Sequence, residues 1–152
     1  MTQVDNFEQY NNGLIYPPAT RTATTTSGYI DTDEYNSVTV DFIFGATGDT
    51  LSGTVLWTCT ITECDTAGGT YTAVAAAEII DGTTSPANSV VVDANGEVDL
   101  SYKLGYKGNA RYIRGVITPT GTHTYGTVLG MNATLGNKRM GPYAQASVAV
   151  NA

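Results

Sequence analysis

An all-β chain is predicted, folded as an antiparallel two-sheet sandwich or jelly roll with extended N- and C-terminal arms. Three observations point there. Only 14% of the 152 residues are charged, while glycine numbers 17 and threonine is abundant, a mixture that favours strands and turns over helices. Several runs alternate apolar and polar residues with a period of two, the mark of half-buried strands. Turn residues punctuate those runs at short intervals, and no period of 20 to 50 residues recurs, which argues against a solenoid or propeller.

Residues 1 to 27 show no sustained period, and Pro17 and Pro18 forbid a helix through their middle, so the segment reads as an arm or long loop. Its cluster Leu14, Ile15 and Tyr16 suits an arm lying on a neighbouring surface or on its own domain. A sandwich domain is assigned to residues 28 to 136. Within it SVTVDFIFG places Val38, Val40 and Phe42 on one face, and LSGTVLWTCTITE places Leu51, Val55, Trp57, Cys59 and Ile61 on one face and mainly threonine on the other. A turn at residues 65 to 69 returns the chain through Tyr71 to Val74 as a hairpin with a longer loop.

AVAAAEII, at residues 73 to 80, is too short for more than a turn or two of helix. Residues 88 to 93 and 98 to 106 are expected to pair across Asn95-Gly96, a pair preferred in type I′ hairpin turns, with Val98, Leu100, Tyr102, Leu104 and Tyr106 on one face. RYIRGVITP forms the next strand, ended by Pro119, and residues 127 to 135 the last, after a loop over 120 to 126. Seven or eight strands result. The tail at residues 137 to 152 is aperiodic.

Charge is sorted along the chain, whose net charge is −7. All fourteen acidic residues lie at or before Asp99, whereas six of seven basic residues (Lys103, Lys107, Arg111, Arg114, Lys138, Arg139) follow it. Such sorting suits self-assembly or docking on another protein. Because the sign changes within one predicted strand, much of it is expected to cancel inside the sandwich, leaving the acidic and basic ends for contacts between subunits. With a pI near 4.3 and seven bases, direct nucleic-acid binding is not expected.

The chain starts with polar residues and contains no long apolar run, so neither export through a leader nor a membrane span is expected. Cys59 and Cys64 on one strand would lie on opposite faces and about 16 Å apart, out of disulfide reach, and read as free thiols in a reducing cytoplasm. His123 is the only histidine and sits between threonines in a turn, so a solvated turn position is the expectation rather than a catalytic one. Zinc chemistry lacks its ligand set. Asp93, Asn95, Glu97 and Asp99 resemble a calcium loop only loosely, since glycine falls at the fourth rather than the sixth position. No nucleotide-binding loop or nucleophile elbow occurs, and no cofactor is expected.

Two segments together resemble small structural proteins of tailed bacteriophages: VLWTCTITECDTAGGTYTAV at 55 to 74, and LGYKGNARYIRGVITPTGTHTYGTVLGMNATLG at 104 to 136. In those proteins a strand ending in a Ser/Asp/Gly turn precedes an aromatic-x-x-Val strand, and Tyr-x-Gly-x-x-Arg-Tyr-x-Arg leads to Thr-x-Thr-Gly-Thr. The matching residues are Tyr106, Gly108, Arg111, Tyr112, Arg114, Thr118, Thr120, Gly121 and Thr122. Cys64-Asp65-Thr66-Ala67-Gly68-Gly69 departs from the family's shorter turn.

This resemblance implies a capsid decoration (cement) protein. It would be made in the host bacterial cytoplasm, bind the outer capsid surface of the virion as a homo-oligomer (dimer or trimer), and bridge subunits of the major capsid protein. No catalytic residues and no enzyme activity are implied. Contacts with capsid or sister subunits are expected at Asp5, Glu8, Tyr10, Leu14, Ile15, Tyr16, Lys138, Arg139 and Tyr143. The alternative is a carbohydrate-binding or host-surface adhesion module, with Tyr125 as the test residue, and a third possibility is a hydrolase or lyase built on His123.

Overall fold

A computed structural model describes residues 10–82, 87–138 and 150–151 as two antiparallel sheets packed face to face. In chain order the strands are β1 (Tyr10–Arg21), β2 (Thr25–Thr26), β3 (Tyr29–Asp31), β4 (Tyr35–Thr47), β5 (Leu56–Cys64), β6 (Thr72–Ala73), β7 (Ile79–Ile80), β8 (Ser89–Val92), β9 (Ser101–Tyr106), β10 (Tyr112–Thr120), β11 (Thr127–Lys138) and β12 (Val150–Asn151). The first sheet runs β1-β11-β4-β9-β7 and the second β12-β3-β10-β5-β6, with β2 also on β10 and β8 also on β5. The expected sandwich is present, assembled from more strands than the alternation announced.

Period-two patterning fills the space between the sheets. Val38, Val40, Phe42 and Phe44 of β4 and Leu129, Met131, Ala133 and Leu135 of β11 face Trp57, Cys59 and Ile61 of β5 and Ile113 and Ile117 of β10, all buried. Gly115 lies between those two isoleucines and faces Val40, Phe42 and Met131 of the first sheet. A Cβ there would stand 2.8 Å from the Met131 sulfur and 3.1 Å from a Val40 methyl. Gly115→Val is therefore expected to cost about 1–3 kcal/mol through overpacking, read as a lowered urea midpoint. An unchanged midpoint would show that the sheets yield freely at this crossing.

Five sequence expectations need correction. Residues 10 to 21, read as arm or loop, form the edge strand β1, paired with β11 from Tyr10↔Gly136 to Arg21↔Thr127. Pro17 and Pro18 are tolerated because both fall in the second of two register shifts, between Tyr16 and Ala19, and because the outer side of an edge strand has no ladder bond to lose; the first shift lies between Leu14 and Tyr16. No hairpin forms across Asn95-Gly96. Instead β8 pairs with β5 and β9 with β4, so the chain crosses between the sheets there. The crossing is held by Glu97, whose carboxylate accepts the Asp93 and Ala94 amides in a short 3₁₀ turn.

Asp99 then adopts φ +60°, which breaks the alternation and leaves Leu100 exposed rather than on the core face. At the far side Pro119 does not end β10, which continues to Thr120. β11 similarly runs past Gly136 to Lys138, and Val150–Asn151 pair with β3. The hairpin after β5 and the short turn at Ala76–Glu78 match expectation.

Candidate functional site

At one end of the sandwich the loop between β10 and β11 is bound to the loop after β4 by a single carboxylate. Asp49 Oδ1 accepts the amides of Thr124 and Tyr125, each at 2.9 Å, and Oδ2 accepts that of Gly126 at 2.7 Å. Gly48 N–H adds a bond to the Gly126 carbonyl at 2.9 Å. Gly126 has φ +79°, and a Cβ on it would meet the Arg21 carbonyl at 2.6 Å, so glycine is required where the loop re-enters β11. A third loop joins them, because Asn95 accepts the Leu51 amide at 2.6 Å and donates to the Asp49 carbonyl at 3.2 Å.

His123 lies beneath this clamp and corrects the expectation of a solvated turn. Its side chain is buried, with the ring 4.2 Å from that of Trp57. Nε2 faces the Leu56 and Thr120 carbonyls at 3.3 and 3.2 Å, partners that require it to carry the proton. Nδ1 points toward Asp49 Oδ2 at 3.6 Å and makes no hydrogen bond. Burial alone would raise the Asp49 carboxyl, but the three amides and the neighbouring imidazole outweigh it and hold the group below its ordinary range. Trp57 Nε1 donates to Thr127 Oγ1 at 3.0 Å, and that hydroxyl donates on to Thr47 at 2.9 Å, joining the two sheets under the tip.

Above these buried groups the surface is neutral: Thr50, Ser52, Gly53, Thr54, Thr120, Gly121, Thr122 and Thr124 are exposed, and Tyr125 projects with 73% of its surface accessible. The backbone under Tyr125 is fixed on both sides by Asp49. A rigid amphipathic ring among small hydroxyl-bearing side chains is suited to contact with another macromolecule, since little order is lost on binding.

The resemblance motif runs along β10: Thr120, Gly121 and Thr122 belong to the tip, while Tyr106 to Arg114 lie toward the opposite end, where they serve the fold. Tyr106 donates to Glu63 at 2.6 Å and accepts the Ala110 amide at 2.8 Å. Arg111 clamps Asp31 through two nitrogens, the shortest contact being 2.8 Å, and Arg114 lies 4.0 Å over the Tyr71 ring. Asp31–Arg111 and the cross-strand neighbours Asp41 and Lys103 join early acids to late bases within one subunit. The latter pair lies in a shallow groove of about 460 Å³ on the outer face of the first sheet, where burial raises the Asp41 carboxyl against the pull of Lys103.

Of the residues expected at contacts, Tyr10 and Leu14 are exposed on β1, Ile15 is in the core and Tyr16 packs against it with Arg21 over its ring. Lys138 ends β11 opposite Tyr35. Asp5, Glu8, Arg139 and Tyr143 lie outside the described residues. Asp49 was missed. Its only sequence signal is a lone acid in a Gly-Asp turn, and the amides it holds are 75 to 77 positions away.

The molecule thus belongs to the class of antiparallel two-sheet β-sandwiches with braced end loops. No protein-family model matches the chain, and no curated protein matches it. Among solved structures it is similar to the SPBc2 prophage-derived protein YomS, with TM-score 0.52 and 11% identity over 90% of this chain and 100% of that one. At this identity the likeness is one of fold. A second match, infectious bursal disease virus Gx strain, has TM-score 0.27 and 11% identity over 85% of this chain and 32% of that one, too slight an overlap to carry an argument. No helix among the described residues is long and apolar enough to cross a membrane.

Proposed function

We propose that this chain is a non-enzymatic structural protein of a tailed-phage particle, which binds the outside of the head and braces neighbouring major capsid subunits. The observation that carries the reading is the tip: a buried carboxylate with three amide bonds serves to present one exposed tyrosine in a fixed position. Sequence resemblance and the fold shared with a prophage-derived protein support the phage setting. His123 is buried between Trp57, Asp49 and two carbonyls, a setting that supports a bracing role at the tip. Bracing follows from mass action, since a ligand of the assembled shell that ignores free subunits stabilises the shell.

Tyr125→Ala is expected to leave folding within about 0.5 kcal/mol of wild type, because the ring is exposed, while weakening binding to stripped heads about tenfold or more. A binding isotherm on such heads checks this, and equal affinity would remove the tip from the contact. The same ring among threonine hydroxyls also fits a sugar-stacking site. Specific binding on a glycan array, lost in Tyr125→Ala, would favour the adhesion reading instead.

A further inference from the structure

We propose that two copies of this chain join through the edge of β1 that no other described strand pairs, as an antiparallel pair centred on Asn12 that continues the first sheet across a two-fold axis. The argument begins with what β1 exposes. Tyr10, Asn12 and Leu14 share the outer face of the sheet, and Tyr10 and Leu14 are 50% and 53% accessible. Inside the subunit neither has an apolar cross-strand partner, since Tyr10 lies opposite Gly136, Asn12 opposite Thr134 and Leu14 opposite Asn132.

An antiparallel copy in register about Asn12 supplies what is lacking. Directly opposed residues on such a pair share a face with Cβ atoms about 4.5–5.5 Å apart, so Tyr10 meets the second copy's Leu14, Leu14 meets its Tyr10, and Asn12 meets Asn12. The spacing of four residues between the two apolar side chains makes the edge self-complementary, as an isologous interface requires.

The electrostatics agree with a second copy as occupant. No residue from Tyr10 to Thr20 is charged, so the two-fold brings no like charges together, and edge strands that must stay unpaired are commonly guarded by lysine. Guarding does occur further along, where register shifts and Pro17-Pro18 confine pairing to the first half of the strand. Short pairing of this kind gives a concentration-dependent dimer. It is read from the edge alone and stands or falls separately from head binding.

Sedimentation of the full chain tests it, with dimers of twice 15.9 kDa expected as concentration rises and with Asn12→Lys, which opposes two ammonium groups on the axis, remaining monomeric. In a Cys64→Ser background, Asn12→Cys is expected to form a disulfide-linked dimer under copper–phenanthroline oxidation. Thr39→Cys, on the same face but two strands inward, is expected not to. Monomeric wild type at every concentration, a dimer that survives Asn12→Lys, or equal crosslinking at positions 12 and 39 would each overturn the proposal. So would slow amide exchange over residues 10 to 14 in a monomer, which would mean that another part of the same chain covers the edge.

Discussion

Asp49→Ala is expected to lose at least about 3 kcal/mol of folding stability, because it strips three backbone amides of their acceptor and each orphaned donor costs about 1–3 kcal/mol. The loss should be local first. Amide exchange at Thr124, Tyr125 and Gly126 is expected to accelerate well before global unfolding, and head binding to fall with it. Asn at this position restores the shape but turns one acceptor into a donor facing an amide, so it rescues only part of the stability. Wild-type stability in Asp49→Ala would contradict the clamp.

A pH dependence follows from the same carboxylate. Its folded-state pKa is depressed below the unfolded reference of 3.8, so its contribution is fully present above that value and disappears as pH falls through the folded one. Stability is expected to drop below about pH 4 in wild type and less steeply in Asp49→Ala. Asp31, also lowered, shares the window: burial raises it, but the Arg111 bonds outweigh that effect. The variant therefore retains part of the acid sensitivity.

Trp57→Ala is expected to cost about 3–5 kcal/mol, the range for deleting a large buried aromatic side chain. Three losses coincide: the core volume, the hydrogen bond to Thr127 that links the sheets, and the ring against which His123 packs. Trp57→Phe keeps most of the volume and loses the hydrogen bond, so a cost of about 1–2 kcal/mol separates the two contributions. Trp57 is the sole tryptophan, so circular dichroism rather than its fluorescence must follow the unfolding. A small effect in Trp57→Ala would mean that the interior repacks without it.

Alternation made β4, β5, β10 and β11 legible because each buries one face, and burial is what period-two patterning records. β1 was not legible for the same reason: two register shifts and two prolines interrupt the period, and half the strand faces solvent. Asn95-Gly96 misled because a turn preference is local. Here longer-range bonds from Asn95 to Leu51 and Asp49 commit the chain to a crossing between sheets. The site was least visible, since His123 lies far in sequence from Asp49 and Trp57 and only strand pairing brings it to them. Charge sorting, plain in the sequence, is met inside the subunit in part, by Asp31–Arg111 and by the cross-strand neighbours Asp41 and Lys103.

The proposed bracing of a phage head from outside is open to direct test. Its most direct test is the release of the protein from purified particles and its return to the stripped heads, with heat resistance measured at each stage. A fixed copy number relative to the major capsid protein, loss of heat resistance on release, and recovery on adding back wild type but not Asp49→Ala are expected. Absence from the particles, or stripped heads as heat-resistant as intact ones, would contradict it.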